Sequence, residues 1–492
     1  MTIGLDLGTY QLTAAWVGSN GSPQLVPDKL DSDIFQTPAS LGLDGSRTFV
    51  GRAAEVVAED NPAAPVARRL KLALGSGEPV MHDARRRGWL AETALTPVLQ
   101  KIIDDAAFAA GSRPKFAVLT VPHEFTPAQR QAIARAADWA GLGTTVLLPR
   151  SLAAARYLAS SSDLVGAKLA LVCAVGTHFT EVTVLEARPH RLQVRGTASA
   201  RLGGAQMDEA LLDALRPVLG DPADDPAGRV PLGMAIARLR QRLSQPGTRE
   251  VETVIFRRGQ PRLVSLLASQ YQRIIAPVVA RIAELADTAL QQAGTNWSQV
   301  EAVWPVGSCA LEPAVLDVLA AKFGRSVTPR QALQASAFGA AQHAVDLANG
   351  ESWVGLPRLP GRRGAALALR LIDTDKKVRL DELVSGSTAW PTQAVKRFTT
   401  SRADQLRMVF DLVFADATGI ESAALVAFGP INKPQLNLGL DLQVAISAQG
   451  LLTAEAVDTR TGAKLPRTLL TRGVSSEPLV NQRLLLDSLR PA

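Results

Sequence analysis

Apolar positions along the chain recur with two different periods. Residues 3 to 17 and 168 to 186 each read as two short apolar runs around a small turn, the pattern of a buried hairpin. Residues 91 to 111, 127 to 141, 205 to 219, 268 to 293 and 331 to 349 instead place apolar side chains three and four apart, as on one face of a helix. Hairpins alternating with helices predict an α/β part. Within "GLPRLPGRRG", residues 355 to 364, two prolines, three glycines and three arginines interrupt both periods, as a linker does. Beyond it "ALALRLID", "AVKRFTTS", "LRMVFDLVF", "AALVAFG", "LDLQVAIS" and "LLTAEAVD" are short strand-like runs divided by Gly, Pro and Asp turns, which predicts an all-β sandwich. The expected organisation is a domain over 1–354, a linker over 355–364, a sandwich over 365–475 and a short tail over 476–492.

Composition narrows the function classes. At 492 residues, 47% hydrophobic and 20% charged, the chain is long and apolar enough for several cores, which argues against disorder. No apolar run approaches the ~20 residues of a membrane helix. The start, Met1 to Asp6, lacks the basic flank of a signal peptide, so no membrane insertion and a cytoplasmic location are expected. Cys173 and Cys309 lie far apart inside apolar runs, as buried thiols do. The formal charge of +7 is spread over short clusters such as Arg85-Arg86-Arg87, Arg257-Arg258 and Arg362-Arg363, without interleaved aromatics. That distribution predicts no nucleic-acid partner. The five histidines show no paired metal-ligand spacing, so no protein-bound zinc is expected.

Candidate chemistry begins at "IGLDLGTYQLTAAW". A turn at Gly8-Thr9 presents backbone N–H groups to an anion, and Asp6 at the end of the first strand is placed to hold Mg²⁺ through water. A tight turn beside a solvated aspartate fits the same residues. Further segments then recur in order: "RRLKLALG" with Lys71 four residues before Gly75, "AVLTVPHEFTPAQRQAIARAADWAGL" (117 to 142), "LGGAQMD" (202 to 208), "VWPVGSCALEP" (303 to 313) and "SAFGAAQ" (336 to 342). Together they resemble the seventy-kilodalton heat-shock chaperones, the DnaK-type family. The resemblance implies a two-lobed, actin-like nucleotide domain of the kind shared by heat-shock chaperones, sugar kinases and actin. It also implies ATP or ADP with Mg as cofactor. Nucleotide contacts carried over by it are Gly8, Thr9, Tyr10, Gly176, Gly203, Gly204, Arg240, Ser244, Gly307 and Ser308, with Lys71 and Asp6 as retained catalytic groups. Pro122 and Arg130 take the places of an interdomain relay.

Past the linker, "TAWPTQAVKRFTTSRADQLRMVFDLVF" and "LDLQVAISAQGLLTAEAVDTRTGAKL" resemble the family's peptide-binding β-sandwich. Phe398 and Met408 then correspond to the floor of a peptide cleft, with Leu371 or Ile372 opposite, although they fit an ordinary sandwich core equally well. A charged stretch, Asp375-Lys376-Lys377, falls where an arch would cover the peptide. After residue 475 too few residues remain for the family's helical lid, so none is expected.

The second hairpin departs from the pattern. In "LVCAVGTHFTEV" the family's magnesium-side aspartate is Ala174, two loop glycines are Thr177 and His178, and the loop threonine is Phe179. Arg150 stands where the family has a glutamate, Tyr10 replaces a small hydroxyl residue, and Ala237 a ribose-binding glutamate. Ser308 replaces a glycine and Leu311 an adenine-stacking arginine. Phosphoryl transfer depends on positioning and on neutralising developing charge, so these losses bear on turnover more than on binding. The expectation is a polypeptide-binding, chaperone-type protein that binds ATP and hydrolyses it weakly or not at all. Two alternatives remain open, an active ATP-hydrolysing chaperone with non-standard catalytic residues and a regulatory scaffold that binds no nucleotide. The linker, basic and broken by proline, resists adding to a sheet as a strand, which speaks against the family's conventional coupling and for a flexible tether, with signal transmission left open.

Overall fold

The computed structural model describes residues 1–44, 47–61, 64–160, 168–188, 191–225, 228–351, 353–354, 366–372, 378–388, 390–416, 419–470, 482, 485–486 and 490–491. The chain is mixed α/β and forms two compact units, one of Met1–Leu148 with Leu356–Ala492 and the other of Pro149–Gly355. Among the described residues no helix is long and apolar enough to cross a membrane.

In the first unit, strands Thr2–Leu7 and Gln11–Val17 form the first hairpin, and Phe116–Val121 pairs in parallel with Thr2–Leu7. Ile3, Leu5, Leu7 and Leu12 are buried, as are Ala117 to Leu119, so the central strands are covered on both faces. Helix Pro127–Trp139 starts sharply because Thr126 and Gln129 cap each other and Pro127 supplies a preset φ at the first turn. Gly75, at φ +70°, presses the short helix Leu70–Ala73 onto that start, since a Cβ there would lie 2.7 Å from the Ala128 carbonyl carbon. This contact fixes where Lys71 stands.

The second unit carries a four-stranded sheet in the order Arg191–Ala200, Thr180–Arg188, Lys168–Val175, Val300–Val306. Lys168–Val175 and Thr180–Arg188 are the second hairpin, and Val300–Val306 runs parallel to the first of them. One sheet face packs Leu171, Cys173, Val182 and Val184 against Met207 and Leu211 of helix Gly204–Leu219 and Tyr271, Ile275 and Ile282 of helix Ala268–Gln292. Cys173 and Cys309 are buried free thiols, and burial pushes the Cys173 pKa up to about 12. Helix Arg150–Ser160 is clamped against helix Ala335–Ala348: a Cβ on Gly339 would lie 1.6 Å from the Ala153 carbonyl oxygen, and Arg156 forms a buried two-point pair with Asp346 at 2.7 and 3.0 Å.

Within the first unit, residues after 365 form two antiparallel sheets. One has the order Val378–Val384, Ala366–Ile372, Met408–Asp416, Gly419–Phe428, Arg467–Leu470, and the other Thr392–Thr399, Gly439–Ile446, Leu452–Asp458. They close on one core in which Leu369, Phe410, Leu412 and Phe428 of the larger sheet meet Leu442, Val444, Ile446 and Ala456 of the smaller. Inward and outward residues alternate along Thr392–Thr399, as the pleat requires.

The chain end returns to the amino-terminal strands. Gln482 is buried, its carboxamide oxygen accepts from Leu90 N at 3.2 Å and Thr93 Oγ1 at 2.8 Å, and its nitrogen donates to Gly88 O at 2.9 Å. Arg490–Pro491 then pairs in parallel with Arg47 and Thr48 of strand Arg47–Val50. Gln482→Ala strands three polar partners, two of them buried, so it should cost about 1–3 kcal/mol and lower the melting temperature. An unchanged melting temperature would show that this anchor adds no stability.

Candidate functional site

In the first unit, three candidates converge on one strand end. The Asp6 carboxylate accepts from Thr120 Oγ1 at 2.5 Å, and the same hydroxyl accepts from Leu7 N at 3.2 Å, so the adjacent parallel strand orients the acid. Gly8 is confined: a Cβ would lie 2.3 Å from Gln11 O, which only a glycine turn avoids. Lys71 donates from Nζ to Leu7 O at 2.8 Å, and its Nζ lies 5.8 Å from the Phe125 ring centroid. Asp6 and Lys71 are thus held on either side of Leu7. Thr9 is buried, while Tyr10 is exposed with the Arg69 guanidinium 5.1 Å from its ring centre.

Pro122 and Arg130 are joined directly. Arg130 is fully buried and donates to the carbonyls of Pro122 at 3.3 Å, His123 at 3.2 Å and Phe125 at 2.9 Å. Its fourth acceptor is Gln449 O, 3.2 Å away in the turn before Leu452–Asp458, and Gln449 Oε1 in turn accepts from Leu147 N at 3.3 Å. Gly450 makes room for this contact, since a Cβ would lie 2.7 Å from Trp390 and 2.9 Å from Arg130 Cδ. One guanidinium therefore ties the 122–125 turn to the late β part.

In the second unit the second hairpin is built around what the glycines leave open. Ala174 is buried and pairs across the hairpin with Glu181, which places both side chains on one sheet face. The Glu181 carboxylate accepts from Ser151 N at 3.3 Å and Ser151 Oγ at 3.2 Å, capping the start of helix Arg150–Ser160, where its charge is favoured by the helix dipole. Arg150 is half-buried, and its Nη1 lies 3.1 Å from the position of a Cβ on Gly176 and 3.3 Å from one on Gly307. Gly307, at φ +92°, would in addition set a Cβ 2.5 Å from Val175 O. The loop is pinned from the other side as well: Gly204 N donates to Gly176 O at 3.1 Å and Ala205 N to Thr177 O at 2.7 Å. A Cβ on Gly203 would lie 2.1 Å from Gly176 O, so Gly203 serves close approach. Phe179 carries the Arg201 guanidinium 5.8 Å from its ring centre.

The adenosine-side candidates form a second cluster in this unit. Arg240 pairs with Asp208 at 2.6 Å and packs on Gly204, where a Cβ would meet Cys309 Sγ at 2.6 Å and Arg240 Nη2 at 3.3 Å. Ser244 bonds to Glu312 and to Arg240 O, and Tyr271 OH donates to Glu312 Oε2 at 3.0 Å. Burial raises the Glu312 pKa, only partly offset by these bonds and by Arg240. A single Ser244 hydroxyl proton cannot serve the Arg240 carbonyl and the Glu312 carboxyl at once. Sequence reasoning missed Glu312; the signal was a lone carboxylate inside the apolar run "CALEPAVL". Ser308 is exposed, while Leu311 and Ala237 are half-buried and carry no polar group that could reach a ribose.

Phe398 and Met408 pack against the core of the late β part, Phe398 edge-on to Phe410 with ring centres 5.1 Å apart. The Ile372 side chain, the 375–377 stretch and the 355–364 linker lie outside the described residues. Among the described residues no three His, Cys, Asp or Glu side chains gather as a metal cage. Glycine loops with no room for a Cβ suit a phosphate, whereas Ala174 and Arg150 give the second hairpin no oxygen ligand for a divalent cation from those positions.

A family model described as Hsp70 protein matches residues 71–472. The chaperone protein DnaK of Thermus thermophilus is 26% identical over all of this chain and 83% of its own length. The chaperone protein HscA homolog of Bordetella petrii is likewise 26% identical over the whole chain and 81% of its own length, and DnaK of Methanothermobacter thermautotrophicus is 26% identical over 98% of this chain and 82% of its own. The chain belongs to the Hsp70 family.

His343 makes the clamp on helix Arg150–Ser160 sensitive to acid. Burial, with the nearby Arg156 charge and against the pull of Asp346, lowers its pKa from 6.5 to about 4. The folded protein holds it neutral while the unfolded chain protonates it, so its stabilising share is full above pH ~6.5 and is lost as pH falls towards 4. Urea denaturation should show a loss on the order of 2–4 kcal/mol over that window, reduced in His343→Gln. An identical acid dependence in the variant would contradict this assignment.

Proposed function

We propose that the chain is a chaperone-type member of the family, with an actin-like nucleotide domain over 1–354 and a β-sandwich over 365–475 that binds polypeptide. In this reading it works in the cytoplasm on polypeptide partners, binds ATP or ADP, and hydrolyses ATP weakly or not at all. The observation that carries it is the second hairpin, where Ala174 offers no carboxylate and Arg150 packs against Gly176 and Gly307. Binding groups remain: Gly8 in its tight turn, Lys71 and Asp6 held about Leu7, and Arg240 beside Gly204. Removing one charge-stabilising group costs ~10²–10³ in rate, so loss of the second hairpin's carboxylate alone reduces turnover severely.

When bound, Mg²⁺ would supply charge neutralisation at the phosphates, and Asp6 is the residue of the first hairpin suited to hold it through water. Lys71 orients the turn by its bond to Leu7 O, and Arg130 links the 122–125 turn to Gln449. In the late β part, Val378 and Leu380 are exposed on the edge strand Val378–Val384, which supports capture of an extended segment by strand addition.

A second reading, an active ATPase, is favoured by one observation: Glu181 stands opposite Ala174 on the same face. Single-turnover assays with radiolabelled ATP separate the two. Phosphate release should stay at or only slightly above the protein-free control; release far above it that depends on Lys71 and is abolished by Glu181→Gln would establish the active enzyme instead.

A further inference from the structure

We infer that the phosphate-binding end of the Pro149–Gly355 unit uses the Arg150 guanidinium where a divalent cation would otherwise supply counter-charge, so that ATP binding does not depend on Mg²⁺. The inference rests on the nucleotide-binding part of the proposed function and goes beyond it by assigning the counter-charge. Strands Lys168–Val175 and Val300–Val306 are adjacent and parallel, with Ala174 beside Val306, so their carboxyl ends open into Gly176 and Gly307 together. The carboxyl ends of parallel strands are where α/β sheets hold ligands.

Three features make this end a site for an anion. Arg150 Nη1 lies against both glycines, 3.1 and 3.3 Å from where their Cβ atoms would be, so any side chain at 176 or 307 competes for its space. A guanidinium presents five N–H donors in a planar fork that matches phosphate oxygens. Arg201 adds a second cation over Phe179, which gives the substituted loop residue a role. The frame is rigid as well: Gly204 N and Ala205 N pin the loop through Gly176 O and Thr177 O, Ser151 is bonded to Glu181, and helix Arg150–Ser160 is clamped by Gly339 and by the Arg156–Asp346 pair.

The donor set at the same place does not suit a metal ion. Ala174, next to the last residue of its strand, offers only a methyl group, Glu181 opposite it caps a helix, and a divalent cation would have to approach the Arg150 guanidinium. Hard cations take oxygen ligands. Arg150 supplies positive charge where such an ion would otherwise be recruited.

Isothermal titration of the full chain with ATP, in excess Mg²⁺ and in excess EDTA, tests this. Wild-type affinity in EDTA should lie within about threefold of that in Mg²⁺, Arg150→Gln should weaken binding in EDTA at least about tenfold, and Arg150→Lys should lose less. Circular dichroism melting of both variants confirms that they fold, and the wild-type comparison needs no variant. Binding that is seen in Mg²⁺ and vanishes in EDTA, or an Arg150→Gln variant that binds as wild type does, overturns the inference and leaves the nucleotide reading standing. No ATP binding by folded wild-type protein in either buffer overturns both.

Discussion

Two parallel strands set the geometry from which the second unit's chemistry follows. Lys168–Val175 and Val300–Val306 pair so that Ala174 lies beside Val306, and the chain leaves both strands through glycine. Gly307 adopts φ +92° with Val175 O where its Cβ would be, and Gly176 leaves the Arg150 guanidinium its place. A slip of one residue in this pairing would turn every side chain of the strand to the other face and separate the two glycines. The register is held by the core beneath, where Leu171, Cys173 and Val175 pack on the helices.

The two hairpins use the same outline for different ends. In the first, an aspartate at the strand end is aimed by Thr120 from the neighbouring strand, and a buried lysine fastens the carbonyl beside it. In the second, the corresponding methyl group faces a glutamate that caps a helix, and an arginine takes up the space beside the glycines. A cation positioned by buried structure binds an anion well and does not relay a proton or order a metal's water shell. This difference underlies the proposed separation of nucleotide binding from turnover.

Much of this was legible in the chain. The hairpins read at 3 to 17 and 168 to 186 are strands Thr2–Leu7 with Gln11–Val17 and Lys168–Val175 with Thr180–Arg188, and the helix read at 268 to 293 is Ala268–Gln292. These segments alternate cleanly because each buries one face. Strand Val378–Val384 was missed: "VRLDELV" is an edge strand with charged residues, and its apolar Val378 and Leu380 are exposed, so no buried period marks it. The substitutions at Ala174 and Arg150 could be named from resemblance, but not what Arg150 touches, since residues 150, 176 and 307 meet only through tertiary structure. The same holds for Glu312 with Ser244 and Tyr271, and for Gln482, whose three partners lie near residue 90. A lone polar residue carries no period, so its partner is invisible until the chain is folded.

A crystal structure of the wild-type protein grown with ATP in EDTA tests the central claim most directly. The account predicts a phosphate group within hydrogen-bonding distance of the Arg150 guanidinium, beside Gly176 and Gly307. A structure in which Arg150 has turned away from the nucleotide, with Glu181 released from Ser151 and facing the phosphates, would contradict it.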